Sequence, residues 1–186
     1  KRLQDNGIEN VLALRGDENP DVPPKREFRH ASELAAYVKR FGGFSVSGAC
    51  YPEGHQDSES LVEDELHLRE KLFFDNRYFY AFQERARIAG IKVPVEAGIM
   101  PVVNKKQIEK MVVLCGASLP PKFAKMMQRY ERHPDALRDA GIAYAVDQIV
   151  DLISHNVDGI HLYTMNNPYI AKKISESVGS LLKVDA

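Results

Sequence analysis

The chain has 186 residues, 44% of them hydrophobic, enough for one domain that buries roughly 70% of the surface its unfolded form would expose. Its 25 Lys and Arg against 26 Asp and Glu leave a formal charge of −1, which excludes the global positive field that captures nucleic acid or acidic membranes. Cys50 and Cys115 lie in apolar surroundings and read as reduced core residues. No apolar run approaches the roughly 20 residues of a membrane span, and the first residues hold no signal core, so a cytoplasmic protein is expected.

Apolar β-rich runs alternate with helical patterns along the chain, the arrangement of parallel α/β folds. Lys1 to Asn6 read as the tail of a helix, and the chain does not begin with Met, so upstream material is expected. The strand VLALRGD, Val11 to Asp17, precedes HASELAAYVKRFGG. There Ser32 is the expected cap, Leu34, Val38 and Phe41 recur at helical spacing, and Gly42 or Gly43 can terminate. FSVSGACYPEGH then leads into the acidic helix SESLVEDELHLREK. Lys71 meets Leu72 with no turn residue between this helix and LFFDNRYFYAFQERARIAG. Such connections normally take about 2 to 6 residues, so a short segment is expected to be missing there.

VPVEAGIMPV follows, then NKKQIEKMVVLCG, with Asn104 as cap, Gln107 at a capping-box position, and Ile108, Met111, Val112 and Cys115 on one face. Two further helices come next: LPPKFAKMMQRYER, whose FAKMM is a core stripe, and ALRDAGIAYAVDQIVDLISHN. His133 and His155 read as helix-end residues favourable to a C-terminal dipole or simply exposed, and His161 as a packed strand residue. The last unit runs from GIHLYTMN into NPYIAKKISESVG, with Asn167 capping and Pro168 in the first turn. Counting LFFD as a strand end gives five β/α units of short strands, expected to be buried on both faces. Periodicity alone leaves a partial barrel and an open doubly wound sheet equally available.

Chemically capable residues gather just past the strands: Arg15 and Asp17; Tyr51, Glu53 and His55; Asp75; Asn104 and Gln107; Tyr163, Thr164 and Asn166. In parallel α/β folds ligands bind at the C-terminal ends of strands, so residues distant in sequence converge on one rim. Arg15-Gly16-Asp17 could be an adhesive tripeptide on a projecting loop, but Leu12 and Leu14 draw it against a core and favour the rim. Glu53, His55 and Asp57 allow a metal-site reading, although alternating positions in a polar loop are more often solvated and no second cluster completes the set.

ALRGD, YPEGH, EDELHLREK, LFFD, AGIMPV with NKKQ, and HLYTMN, in this order, resemble the bacterial methylenetetrahydrofolate reductases, flavoproteins with a (β/α)8 barrel. The resemblance covers essentially the whole chain. It implies that a reduced nicotinamide, NADH or NADPH, gives hydride to FAD, which passes it to 5,10-methylenetetrahydrofolate to make 5-methyltetrahydrofolate. It implies a single catalytic barrel domain of which this chain holds the C-terminal five or so units, in a homo-oligomer or with a partner subunit.

By the same resemblance, Asp17 is the catalytic carboxylate beside the flavin, and Arg15, Gly16, Asp17, Tyr51, His55, Asp64, His67 and Lys71 bind FAD. Gln107 and Asn167 bind the folate. The family's general acid, a Glu on an early strand, has no counterpart here. His67 and Glu70 stand where some relatives have Asn and Arg, and Asn167 where some have Arg. Two alternatives remain at this stage: a metal-assisted barrel lyase using Glu53, His55 and Asp57, and a non-catalytic barrel subunit acting as an interaction partner.

Overall fold

The computed structural model describes residues 2–14, 21, 27–28, 30–49, 75–106, 108 and 119–184. They fall into two compact units, Lys1–Lys71 and Leu72–Ala186. The junction at Lys71 and Leu72, the strand end LFFD up to Phe74 and the acidic helix before it lie outside the described residues.

In the first unit, α1 (Arg2–Asp5) ends at Gly7, whose φ of 71° no β-carbon opposes. The Gly7 N–H donates to the Gln4 carbonyl at 2.9 Å and the Ile8 N–H to the Leu3 carbonyl at 3.0 Å, a Schellman closure that turns the chain toward a strand. That strand, β1 (Asn10–Leu12), pairs in parallel with β2 (Ser45–Ser47), Val11 opposite Val46. The crossover carries α2 (Ala31–Lys39). His30, not Ser32, is its cap residue, and the Glu33 carboxylate accepts the His30 N–H at 3.3 Å. The box spacing of Glu33 sets the start two residues earlier than the Ser pattern suggests. Phe28, Tyr37 and Phe41 stack in series, with centroids 5.2 and 5.1 Å apart.

The second unit contains α3 (Asn76–Ile88), β3 (Glu96–Ile99), α4 (Pro121–Tyr130), α5 (Pro134–Ser154), β4 (Gly159–Leu162) and α6 (Pro168–Val178), closed by a 3-10 turn at Leu181–Lys183. Lys105, Lys106 and Ile108 are helical after β3. β3 and β4 are parallel, with Ala97 opposite Ile160 and Ile99 opposite Leu162. The Schellman closure recurs twice: Gly90 and Ile91 end α3, and Asn156, at φ 52°, with Val157 ends α5. Gly or Asn in the left-handed region thus marks each of these helix-to-strand passages.

Along α5, Leu137, Gly141, Ala145, Gln148, Ile149 and Leu152 are buried, the 3- and 4-residue steps of one helical face. This face, with Phe79 of α3, Ala97 and Ile99 of β3, and Ile170, Ile174 and Val178 of α6, forms the main core. A second cluster joins Val102, Ile108, Phe123, Met127 and Leu137, so the FAKMM stripe is core as expected. Each fully buried Ile or Leu here contributes about 2 to 3 kcal/mol.

Barrel closure is not shown by the described strands, and one expectation about them needs correction. The described strands form two separate two-stranded parallel sheets, one in each unit, and neither is closed. Closure of a (β/α)8 barrel takes eight strands, and the described residues hold four. Nor are the strands buried on both faces: Leu12 is exposed, and in β3 only Ala97 and Ile99 are buried. Among the described residues, the helices pack on one face of the β3–β4 sheet, the face of Ala97 and Ile99. His133 is the cap residue of α5 and is exposed, one of the two placements expected of it.

Gly141 is the tightest point of the second unit. A β-carbon there would lie 1.8 Å from the Val102 carbonyl oxygen, so α5 lies backbone to backbone on the segment leaving β3. Gly141→Ala gains roughly 1 kcal/mol of helix propensity, but the methyl forces α5 off Val102. A net loss of about 2 to 4 kcal/mol is expected in urea unfolding.

Candidate functional site

The register of β3 and β4 sorts their side chains onto two faces. Ala97, Ile99, Ile160 and Leu162 join the helix-covered core, so Glu96, Gly98, His161 and Tyr163 share the other face. His161 is half-buried, as its strand position suggests, with its ring edge-on to Tyr163 at 4.7 Å. A β-carbon on Gly98 would come within 3.1 Å of the Tyr163 ring. Gly98 therefore lets that ring lie close across β3.

At the C-terminal end of this sheet, Val102 is held by Gly141 and fixes where the next helix starts. Lys105 ties that start to Glu131, one residue past α4, at 2.9 Å. Beyond β4, the Tyr163 N–H still donates to the Ile99 carbonyl at 2.9 Å. The Asn167 side-chain oxygen accepts the Ile170 N–H at 3.4 Å, which makes it the cap of α6, with Pro168 in the first turn. Asn167 keeps its amide N–H groups for other partners.

Tyr169, in the first turn of α6, has the Arg138 guanidinium 5.1 Å and the Lys173 ammonium 5.9 Å from its ring centroid. Arg138 is paired with Asp135 and Asp139, whereas Lys173 has no carboxylate partner among the described residues. This is a cationic and aromatic border beside the strand ends. An open recess of about 330 Å³ at the corner between α4 and α5 is walled by Gln128, Arg129, Glu131, Arg132 and His133, and lacks the apolar wall that a flat organic ligand needs.

Behind the site, α3 and α5 are joined by polar groups. The Asn76 amide donates to the Gln148 carbonyl at 2.9 Å and to the Asp151 carboxylate at 2.6 Å. The Tyr80 hydroxyl donates to the same carboxylate at 2.6 Å, and the Gln148 amide returns a bond to Asn76 at 3.2 Å. His155 stacks on Tyr80 at 4.5 Å, and its Nδ1 lies 2.8 Å from the Asp151 carbonyl oxygen, the helix-end role expected of it. Asp75, a rim candidate, caps α3 through the Arg77 N–H at 3.0 Å. The hydrogen-bonded Arg77 side chain holds its carboxyl below the usual carboxylate range.

Of the residues the sequence nominates, Arg15, Gly16, Asp17, Tyr51, His55, Asp64, His67, Lys71 and Gln107 lie outside the described residues, as do Glu53 and Asp57. Asn167, Tyr163, Thr164 and Asn166 are brought together after β4. Among the described residues no group of three or more His, Cys, Asp or Glu could hold a metal, and no helix is long and apolar enough to cross a membrane. Missed in the sequence were Glu96 and Gly98, whose shared face with His161 and Tyr163 the alternation Gly-Ile-His-Leu signals, and Arg138, which tertiary packing brings to Tyr169.

A family model described as methylenetetrahydrofolate reductase matches residues 1–179. The chain is 31% identical over 188 residues to the 5,10-methylenetetrahydrofolate reductase of Escherichia coli (strain K12), which aligns with 94% of this chain and 62% of that enzyme. It is 29% identical to the enzyme of the same name from Pectobacterium carotovorum, again over 94% of this chain and 62% of the relative. It is 30% identical to methylenetetrahydrofolate reductase (NADH) 1 of Arabidopsis thaliana, over 88% of this chain and 32% of the plant protein. The chain thus spans under two thirds of the length of these relatives.

The network across α3 and α5 has a pH signature. The hydrogen bonds from Tyr80 and then Asn76 hold the Asp151 carboxyl below its ordinary value. Its ionised form therefore supports the fold fully above the unfolded value of about 4, and that support is lost as pH falls through the lowered folded value. Asp151→Asn should cost about 1 kcal/mol at pH 7, where solvent screens the exposed part of the carboxylate. It should also flatten the acid limb of a stability profile measured from pH 2 to 6; a limb as steep as in the wild type would remove Asp151 from this role.

Proposed function

Since the chain belongs to the methylenetetrahydrofolate reductase family, we propose that the protein reduces 5,10-methylenetetrahydrofolate to 5-methyltetrahydrofolate with NAD(P)H as donor. The observation that carries this reading is the family match running through residues 1–179, which spans every motif nominated at the strand ends. FAD, when bound, supplies the relay of hydride from nicotinamide to folate, in two half-reactions that share one site. Its fit is supported by the described face of β3 and β4, where the Tyr163 ring lies across Gly98 and edge-on to His161, an aromatic surface on which a conjugated ring can lie.

In this reading the protein is a soluble, cytoplasmic homo-oligomer or works with a partner subunit, and the chain forms part of a single (β/α)8 catalytic domain. Arg15, Gly16, Tyr51, His55, Asp64, His67 and Lys71 hold the cofactor. Tyr51 and His55 offer rings and hydrogen bonds, and Lys71 offers a cation for a phosphate. Asp17 sets a negative charge beside the flavin ring, which opposes further negative charge there and favours hydride leaving toward the folate. Gln107 gives the pterin edge both a donor and an acceptor. Asn167 uses its oxygen to cap α6 and presents its amide to the folate.

The test is anaerobic mixing of the full-length protein with FAD and 5-methyltetrahydrofolate. Bleaching of the flavin absorbance is expected, and a flavin that binds but stays oxidised would overturn the reading. Asp17→Asn should retain FAD while slowing the folate half-reaction more than the nicotinamide half-reaction; equal losses would count against its role. Gln107→Ala should weaken folate binding and spare flavin reduction by NAD(P)H, and unchanged folate affinity would remove Gln107 from the site.

A further inference from the structure

The corner between α4 and α5 gathers cations that the fold does not neutralise. The run Gln128-Arg129-Tyr130-Glu131-Arg132-His133 ends one helix and begins the next. Tyr130 packs on the apolar cluster of Phe123 and Met127, whereas Gln128, Arg129, Glu131, Arg132 and His133 wall the open recess of about 330 Å³. Glu131 keeps helical dihedrals as the cap of α4. Arg132 therefore follows Gln128 by four residues and Arg129 by three along a helical path, the spacings that bring side chains together.

The carboxylate in this wall is committed elsewhere. Glu131 accepts from the Lys105 ammonium at 2.9 Å, and that hydrogen bond, ahead of the charge of Arg132, holds its carboxyl below the usual carboxylate range. Among the described residues neither Arg129 nor Arg132 forms an ion pair, and the His133 side chain makes no cap bond. Other arginines of the unit are matched: Arg77 with Asp75, Arg87 with Glu84, and Arg138 with Asp135 and Asp139. Two neighbouring guanidinium groups without a carboxylate repel one another, and a bound anion removes that repulsion.

We propose that this recess is a binding site for a small multivalent anion, gripped by Arg129 and Arg132 with Gln128 and His133 beside them. A guanidinium meets two oxygens at once, so the pair suits closely spaced oxyanions, and the amide and imidazole add further donors. At about 30 Å³ per water the recess has room for roughly ten waters, hence for a diphosphate or a tricarboxylate that stays partly hydrated. The Lys105–Glu131 bridge joins this wall to the start of the helix after β3, the strand end at which parallel α/β folds take their ligands. The site stands on the chemistry of this corner and does not depend on the reaction proposed above.

Calorimetric titration of the full-length protein with inorganic pyrophosphate and, separately, with citrate tests the site. At least one anion should bind one to one, with an affinity that falls as salt rises. Binding of pyrophosphate alone would assign the recess to phosphates, of citrate alone to carboxylates, and of both to oxyanions generally. Arg129→Gln and Arg132→Gln should each weaken that binding roughly tenfold and melt within about 2 °C of wild type. Lys172→Gln makes the same change of charge on α6, at a residue paired with Glu176, and should leave the affinity unchanged. No binding of either anion, undiminished affinity in both arginine variants, or an equal loss in Lys172→Gln would overturn the site.

Discussion

The second unit depends on one backbone contact. Gly141 lies so close to the Val102 carbonyl that a methyl group cannot fit between them, and this fixes the depth at which α5 sits on the segment leaving β3. From that depth Ala145, Ile149 and Leu152 reach Ala97, Ile99, Ile170 and Ile174 in the main core, while Leu137 joins Phe123 and Met127 in the second. Were α5 one atomic layer further out, both clusters would open at once. Close-packed interiors yield little to such displacement. The same contact holds Val102 two residues before Asn104.

The core so formed covers only one face of the β3–β4 sheet. Apolar side chains at alternate positions are committed to α5 and α6, which puts Glu96, Gly98, His161 and Tyr163 on the face away from those two helices. That division explains how short strands can be both structural and functional. Ile99 and Leu162 anchor the pair, and their neighbours one residue away place polar and aromatic groups on the other face. The polar network of Asn76, Tyr80, Gln148 and Asp151 adds direction to an otherwise slippery helix contact, since its hydrogen bonds are satisfied in one register of α3 on α5.

Much of this was legible in the sequence because local rules and tertiary demands agree. Pro168 after Asn167, Pro121 at the start of α4, and Gly7 and Gly90 at helix ends each have a conformational meaning that needs no partner. The alternation of strands with helices, and the FAKMM stripe, were read correctly on periodicity. What escaped reading depends on residues distant in sequence. Gly141 inside a helical pattern signals a close approach, but nothing local names Val102 as its partner. Arg138 and Tyr169 are 31 positions apart, and only the packing of α6 on α5 brings them together. Of the nominated site, the residues after β4 can be followed into structure; those from Arg15 to Lys71, and Gln107, rest on their motifs and on the family match.

The strand end after β4 differs in kind from the rest of the unit. Elsewhere each unusual conformation has a residue suited to it: Gly7 and Gly90 in the left-handed region, Asn156 at the end of α5. Met165 is the exception, and it stands beside a cap and a proline that already suffice to start α6. A turn with Asn at both centres would join the same two elements at lower cost. Among the described residues, neither apolar cluster accounts for a methionine there. Local rules and observed conformation part company at this turn, with Met165 at φ 48° and Asn166 at φ 57°, and departures of that kind are where functional demand is expected to surface.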